Sequence, residues 1–260
     1  MLRCGYTTGT CAALAAAAAT RILLTGKAPE TVSLMTAKGI PVEVAGEEYG
    51  APPGDGAWAA IPKDAGDDAE VTDGLLIRAD VSEVSVANAG PAAACGILID
   101  GGQGVGRVTR PGLDQPVGNA AINSGPRRMI EEAVRAVCEE LGYDPDSADT
   151  EGMDWHTVDQ SGRKAIRRGG LRVIISVPEG ERVAKKTFNA KLGIEGGISI
   201  LGTSGIVEPM SEQALVDTIE VELKQIALTS KDLIMAPGNY GADYIAGHDL
   251  DSLEIPVLKF

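Results

Sequence analysis

The sequence is short of aromatic residues, histidine and cysteine, and each shortage narrows what the protein can be. Aromatics make up 3% of 260 residues, so a core of ordinary size has to be assembled from alanine, valine, isoleucine and leucine. The four cysteines (Cys4, Cys11, Cys95, Cys138) show no C-x-x-C spacing, and the two histidines, His156 and His248, lie far from them in the chain. That scatter offers no metal-ligand constellation and reads as a reduced, intracellular chain. Long apolar runs are missing too. None reaches the roughly 18 residues that span a bilayer, and the alanine-rich stretch at 11–19 lacks the basic start of a signal peptide. The expectation is a cytoplasmic protein with no membrane partner. Positive charge is in deficit: 23 Lys and Arg against 37 Asp and Glu give a net charge of −14. General nucleic-acid binding needs a basic surface and is excluded on that ground.

What positive charge there is falls in two zones. Residues 101–130 hold Arg107, Arg110, Arg127 and Arg128 against the single acid Asp114. Residues 161–191 hold nine basic residues, among them Lys185 and Lys186, against Glu179 and Glu181. Local positive zones in an acidic protein point to a specific anionic ligand, with a mixed solvated surface as the plain alternative. The 33 glycines indicate tight turns or backbone that approaches another group closely.

Hydrophobic periodicity outlines the fold. An alanine-rich helix is predicted over 11–24, with Thr10 as its N-cap and Gly26 as its stop. Alternating segments at 31–36, 41–44, 58–62, 75–84 and 97–99 read as strands. A second helix begins at Pro126, which suits the first helical position. It carries Met129, Ile130, Ala133, Val134, Val137, Cys138 and Leu141 on one face and ends at Gly142. Residues 143–170 read as a polar loop or insertion. Strands at 171–177 and 198–201, a helix capped by Ser211 and a strand at 232–236 follow. The fold class is α+β: a mixed-sheet α/β sandwich domain over 1–192, then a smaller α/β domain over 193–260.

Several segments invite chemistry. The loop Gly102-Gln103-Gly104-Val105-Gly106 is glycine-rich, but its third glycine comes one residue too early for a dinucleotide fingerprint and no helix follows. No segment matches a P-loop. Arg127 and Arg128 stand at a helix start, where Asp or Glu would suit the helix dipole. That conflict suggests a carboxylate or phosphate site, or else pairing with neighbouring acids. Lys185 and Lys186 offer a second anion contact. Gly202-Thr203-Ser204-Gly205 and the turn at Gly238-Asn239 follow strands, the position where α/β sheets hold nucleotide-like ligands. Asp64 and Asp67 concentrate carboxylates in one loop, able to take up a proton or simply to form a solvated turn.

Taken together these segments resemble the CbiD family, the cobalt-precorrin-5B C1-methyltransferases. The resemblance is carried by residues 3–13, 63–68, 104–113, 119–123 and 126–130. It continues in residues 184–189, 193–207, 209–211 and 237–241, in one order along most of the chain. It implies transfer of a methyl group from S-adenosylmethionine to C1 of cobalt-precorrin-5B, giving cobalt-precorrin-6A in anaerobic cobalamin synthesis, with no protein-bound metal. On this reading residues 1–192 bind the corrinoid, and Arg107, Arg110, Arg127, Arg128, Lys185 and Lys186 clamp its carboxylates. Gly202, Thr203, Ser204, Gly205, Gly238 and Asn239 hold the methyl donor, and Asp64 or Asp67 takes up a proton. Family members continue beyond residue 260, so the second domain is expected to be incomplete relative to the family. The resemblance leaves open a homo-oligomer and contacts with other enzymes of the pathway. Three other readings stand beside it: a tetrapyrrole-binding protein without catalysis, a nucleotide-dependent phosphoryl-transfer enzyme suggested by the glycine loops, against which the missing P-loop counts, and an inactive truncated form.

Overall fold

The computed structural model describes residues 2–45, 48–50, 56–68, 70–84, 96–146, 167–228, 230–236, 238–246 and 255–259. Helix α1 spans Thr8–Thr25, and fourteen of its eighteen residues are buried. Alanine has the highest intrinsic helix propensity, and a helix apolar on every side has to lie inside the protein. The five-stranded sheet covers α1 on one side and helix α2, Ser124–Leu141, covers it on another. Alanine side chains permit that close approach. By length and composition alone α1 could cross a membrane, but 78% of it is buried within the protein, and this core position accounts for its apolarity. Gly26 stops α1 in the left-handed conformation and donates its N–H to Ile22 O.

Strands β1 (Thr31–Met35) and β2 (Pro41–Ala45) form an antiparallel hairpin. The main sheet is built from β3 (Glu48–Gly50), β4 (Gly56–Pro62), β5 (Leu76–Glu83), β6 (Ile97–Gly101) and β7 (Leu171–Ser176). Its order is β3-β4-β5-β7-β6, antiparallel except where β7 runs parallel to β6. Strict alternation puts Ala57, Ala59, Ile61, Ile77, Ala79, Val81, Val173 and Ile175 into the core. This is the α+β, mixed-sheet architecture predicted from the sequence. The element ends differ by a few residues: α1 begins at Thr8 under Thr7, not at 11 under Thr10, and Pro126 is the third residue of α2.

The glycine loop is a crossing of backbones. Gly104–Val105 pairs in parallel with Gly197–Ile198, and Arg107–Val108 pairs antiparallel with Ile194–Glu195. Gly104 has φ 71°, and a side chain there would run into Val177 O; one at Gly180 or at Gly197 would run into Gly104 O. Three chain segments touch with no room for a Cβ between them.

Residues 194–207 fall beyond the division expected at 192, yet they pair with the part before it. Besides the strands just named, Ile200 bridges to Ile122, and Ile206–Val207 pairs antiparallel with Gly5–Tyr6. Further on come α3 (Glu212–Ala227), β8 (Ile234–Ala236), α4 (Gly238–Ala246) and β9 (Val257–Lys259), with β8 and β9 parallel and α4 packed on both. The Gln225 side chain on α3 donates to Leu192 O at 2.7 Å. Of the polar connection expected at 143–170, only the ends are described, Tyr143–Asp144 pairing in parallel with Arg167–Arg168. His156, His248 and Cys95 lie outside the described residues.

Candidate functional site

Three of the motifs meet along one seam. Thr7 caps α1, its hydroxyl accepting from Thr10 N–H at 3.2 Å. Thr10 Oγ1 is buried and donates to Gly205 O at 2.6 Å. Thr8 Oγ1 accepts from Leu201 N–H at 2.8 Å and donates to Leu201 O at 3.3 Å, while Gly9 N–H donates to the same carbonyl at 2.8 Å. Gly202 (φ 134°) lies so close to Thr7 that a side chain would collide with its hydroxyl. Helix α2 enters here as well, with Asn123 N–H donating to Ile200 O at 3.1 Å and Gly9 packed on the Pro126 ring. The segment at 201–205 therefore lies over the first turns of both long helices. Thr203 is exposed on it, and Leu201 is 46% exposed.

The acidic loop joins the other end of the seam. Asp64 O accepts from Tyr6 N–H at 2.8 Å, and Gly5 and Gly66 touch backbone to backbone. The Asp64 carboxylate is held by the Arg3 guanidinium and accepts from Gly66 N–H at 2.8 Å. The hydrogen bond from Arg3 is the main reason its pKa lies below the ordinary carboxylate value. Asp67 accepts from Arg3 N–H at 2.6 Å. Asp64 is thus a weak proton acceptor in this arrangement. Next to it Lys63 is buried, its ammonium paired with Glu70, which also accepts from Thr72 Oγ1. The Cys11 thiol donates to Pro62 O at 3.9 Å, and burial pushes its pKa up to about 12. Among the described residues Cys4, Cys11 and Cys138 are free, and no group of three His, Cys, Asp or Glu side chains is placed to hold a metal ion.

The arginines divide into two kinds. Arg107 makes a bidentate pair with Asp100 at 2.8 and 3.1 Å and donates to Gly101 O. Arg127 turns back along α2, donating to Ile122 O at 2.9 Å and to Ile99 O at 2.8 Å. Burial lowers its pKa, an effect that Asp100 and Asp114 nearby oppose. Asp114 supplies the N-terminal cap of α2 from ten residues upstream, accepting from Ser124 N–H at 2.6 Å and Ser124 Oγ at 2.9 Å. Burial works to raise the Asp114 pKa, but the bonds from Gln115 and Ser124, with Arg127 nearby, together hold it below its ordinary value. Arg107 and Arg127 are therefore spoken for by the protein. Arg110 donates to Lys191 O at 3.3 Å, and Arg128, Lys185 and Lys186 are exposed with no carboxylate partner among the described residues. Gly238 and Asn239, expected in a loop, open α4. Sequence reading did not reach Arg3, Asp100 or Asp114 as partners, because each acts across a sequence gap that no local pattern marks.

The arrangement is an α+β unit whose motif loops converge on two helix starts. The CbiD family model matches residues 1–209. The chain belongs to the CbiD family. It is 42% identical to the cobalt-precorrin-5B C(1)-methyltransferase of Ruminiclostridium cellulolyticum over 255 residues, covering 96% of this chain and 57% of that protein. It is 43% identical to the protein of the same name from a Thermoanaerobacter species, covering 96% and 59%. The crystal structure of the cobalamin biosynthesis protein CbiD from Archaeoglobus fulgidus superposes with a TM-score of 0.53 at 32% identity, covering 96% of this chain and 68% of that one. The chain spans less than two thirds of the length of these curated relatives.

Proposed function

We propose that this chain methylates C1 of cobalt-precorrin-5B with S-adenosylmethionine as the donor, yielding cobalt-precorrin-6A. The observation that carries this reading is the similarity to methyltransferases of that name, at 42–43% identity along nearly the whole chain. The donor supplies a methyl group made electrophilic by the sulfonium. The protein has little covalent work to do in such a displacement, and its contribution is to hold two large ligands in line at attack distance.

The seam suits one end of that task. The N–H groups of Gly9 and Thr10 are already bonded within the protein, so the segment at 201–205 offers a nucleoside not helix amides but the exposed Thr203 and the apolar Leu201. Gly202 and Gly205 serve the loop's close seating on Thr7 and Thr36. Gly238 and Asn239 are retained as donor contacts from the second unit. For the substrate we keep Arg110, Arg128, Lys185 and Lys186, none of which has a carboxylate partner among the described residues, and we set Arg107 and Arg127 aside as structural. Asp67 is preferred to Asp64 as proton acceptor, since the Arg3 guanidinium holds the Asp64 carboxylate whereas Asp67 meets only the Arg3 backbone N–H. The corrinoid unit extends on this reading to Val207, because residues 194–207 are stitched into it. Calorimetric titration with S-adenosylhomocysteine tests the donor half. Saturable one-site binding is expected, and its absence both alone and with a bound corrinoid would remove the methyltransferase reading.

A further inference from the structure

Phe188 is one of two phenylalanines in the chain, yet it is 59% exposed. Burying such a ring would stabilise the fold by about 1.5–3 kcal/mol, so its exposure calls for a reason. The backbone keeps it out. The next residue, Asn189, is buried, its amide donating to Gly197 O at 3.3 Å and its carbonyl accepting from Ser199 Oγ at 3.4 Å. On the near side, Thr187 Oγ1 donates to Ala184 O at 2.8 Å.

One cation lies against this ring and three more lie close to it along the chain or across the turn. Lys191 Nζ sits 5.3 Å from its centroid. Lys185 and Lys186 occupy the turn just before it, both exposed. Arg110 reaches in from another segment, its stem packed on Gly193 and its guanidinium on Lys191 O. None of these four meets a carboxylate among the described residues, although the chain carries fourteen more acids than bases. Unpaired cations repel one another, and a bare ring orders water. A small anion relieves the first cost only, and a neutral flat molecule the second only. A flat unsaturated macrocycle with carboxylates on its rim relieves both.

We propose that Phe188, with Lys191 beside its ring and Lys185, Lys186 and Arg110 on the adjoining turns, is the face on which the carboxylated macrocycle lands, its ring stacking on the phenyl and its rim carboxylates meeting the cations. This rests on the corrinoid reading above and adds Phe188 and Lys191 to it. The test is titration of the full chain with cobyrinic acid, which carries free carboxylates, and with its heptamethyl ester, which carries none. The acid should bind at least about tenfold more tightly than the ester, and Phe188→Ala and the double variant Lys185→Ala with Lys186→Ala should each weaken it by about tenfold or more. Phe188→Tyr should keep the affinity, Lys231→Ala should not change it, and thermal melts should show every variant folded. Unchanged binding in the patch variants overturns the patch while leaving the methyltransferase reading to the donor titration. Equal binding of the ester overturns the cation clamp. Failure of the parent protein to bind cobyrinic acid removes the corrinoid reading and the patch with it.

Discussion

Two stretches of this chain look alike on paper, yet two of the four arginines in the first behave oppositely in space to the lysines of the second. Both the arginines at 107–128 and the lysines at 185–191 are basic islands in an acidic sequence. In the first, Arg107 is locked to Asp100 and Arg127 is spent on two backbone carbonyls. In the second, the lysines are exposed, Lys191 lies beside an exposed ring, and none of them has a carboxylate partner among the described residues. Local charge counts residues and not partners, and the partners decide whether a cation is structure or surface.

The comparison can be broken in order of expected effect. The largest should come from the backbone crossing that ties the segment at 104–108 to that at 194–198. Gly104→Ala places a methyl group against Val177 O at a positive φ, and should cost more than about 4 kcal/mol and leave little folded protein. A variant with near-parent thermal stability would show that the crossing yields. Arg127→Ala comes next, since it strands two carbonyls that a charged group now satisfies. We expect a loss of about 2–3 kcal/mol, seen as a lower urea midpoint with an unchanged slope, and no selective loss of corrinoid affinity. The reverse outcome would make Arg127 a ligand contact.

Acid should sharpen the contrast further. Asp114 has a folded pKa below its unfolded value, so its contribution to stability is complete above the ordinary carboxylate pKa of about 3.9 and is lost as pH falls through the lower folded value. Asp114→Asn should therefore destabilise the protein at neutral pH, with the gap to the parent closing as both are taken to low pH. Urea midpoints across the acid range would show it, and a gap that stays constant would mean that the charge on Asp114 is immaterial. The smallest effect belongs to the second stretch: Lys185→Ala with Lys186→Ala should alter stability by no more than about 0.5 kcal/mol. A larger loss, read from the same urea curves, would mean these lysines have structural partners.

Four of the five strands of the main sheet were legible because alternation is a local property: Ala57, Ala59 and Ile61 point one way and Trp58 the other whatever lies beside them, while the three-residue edge strand β3 was too short to show it. Their order was not, because β7 slots between β5 and β6 by long-range pairing. Helix α1 was legible from its alanines, but its start was misplaced by the choice between two threonines. Thr7 caps the helix, and Thr10 is drawn off to Gly205 O, almost two hundred residues away. The start of α2 was hidden likewise, since its capping acid, Asp114, lies ten residues back. The two-residue strands at 104–108 and 194–198 are too short to carry any periodicity. Of the candidate residues, the threonine and glycine motifs do converge, and the basic set splits along a line that only partners could draw.

The pairing of Gly5–Tyr6 with Ile206–Val207 also sets a timetable. Ribosomes add roughly 5–20 residues per second, so roughly 10–40 s pass between synthesis of the first strand and arrival of its partner. For the first part of that interval, until residue 141 is made, α1, which has no polar face, has the strands at 56–83 to lie against but lacks α2. A newborn chain must carry its most apolar helix without its helical cover until α2 is made. Overexpression at reduced temperature or with added chaperone should accordingly raise the soluble yield of this protein more than any substitution on its surface.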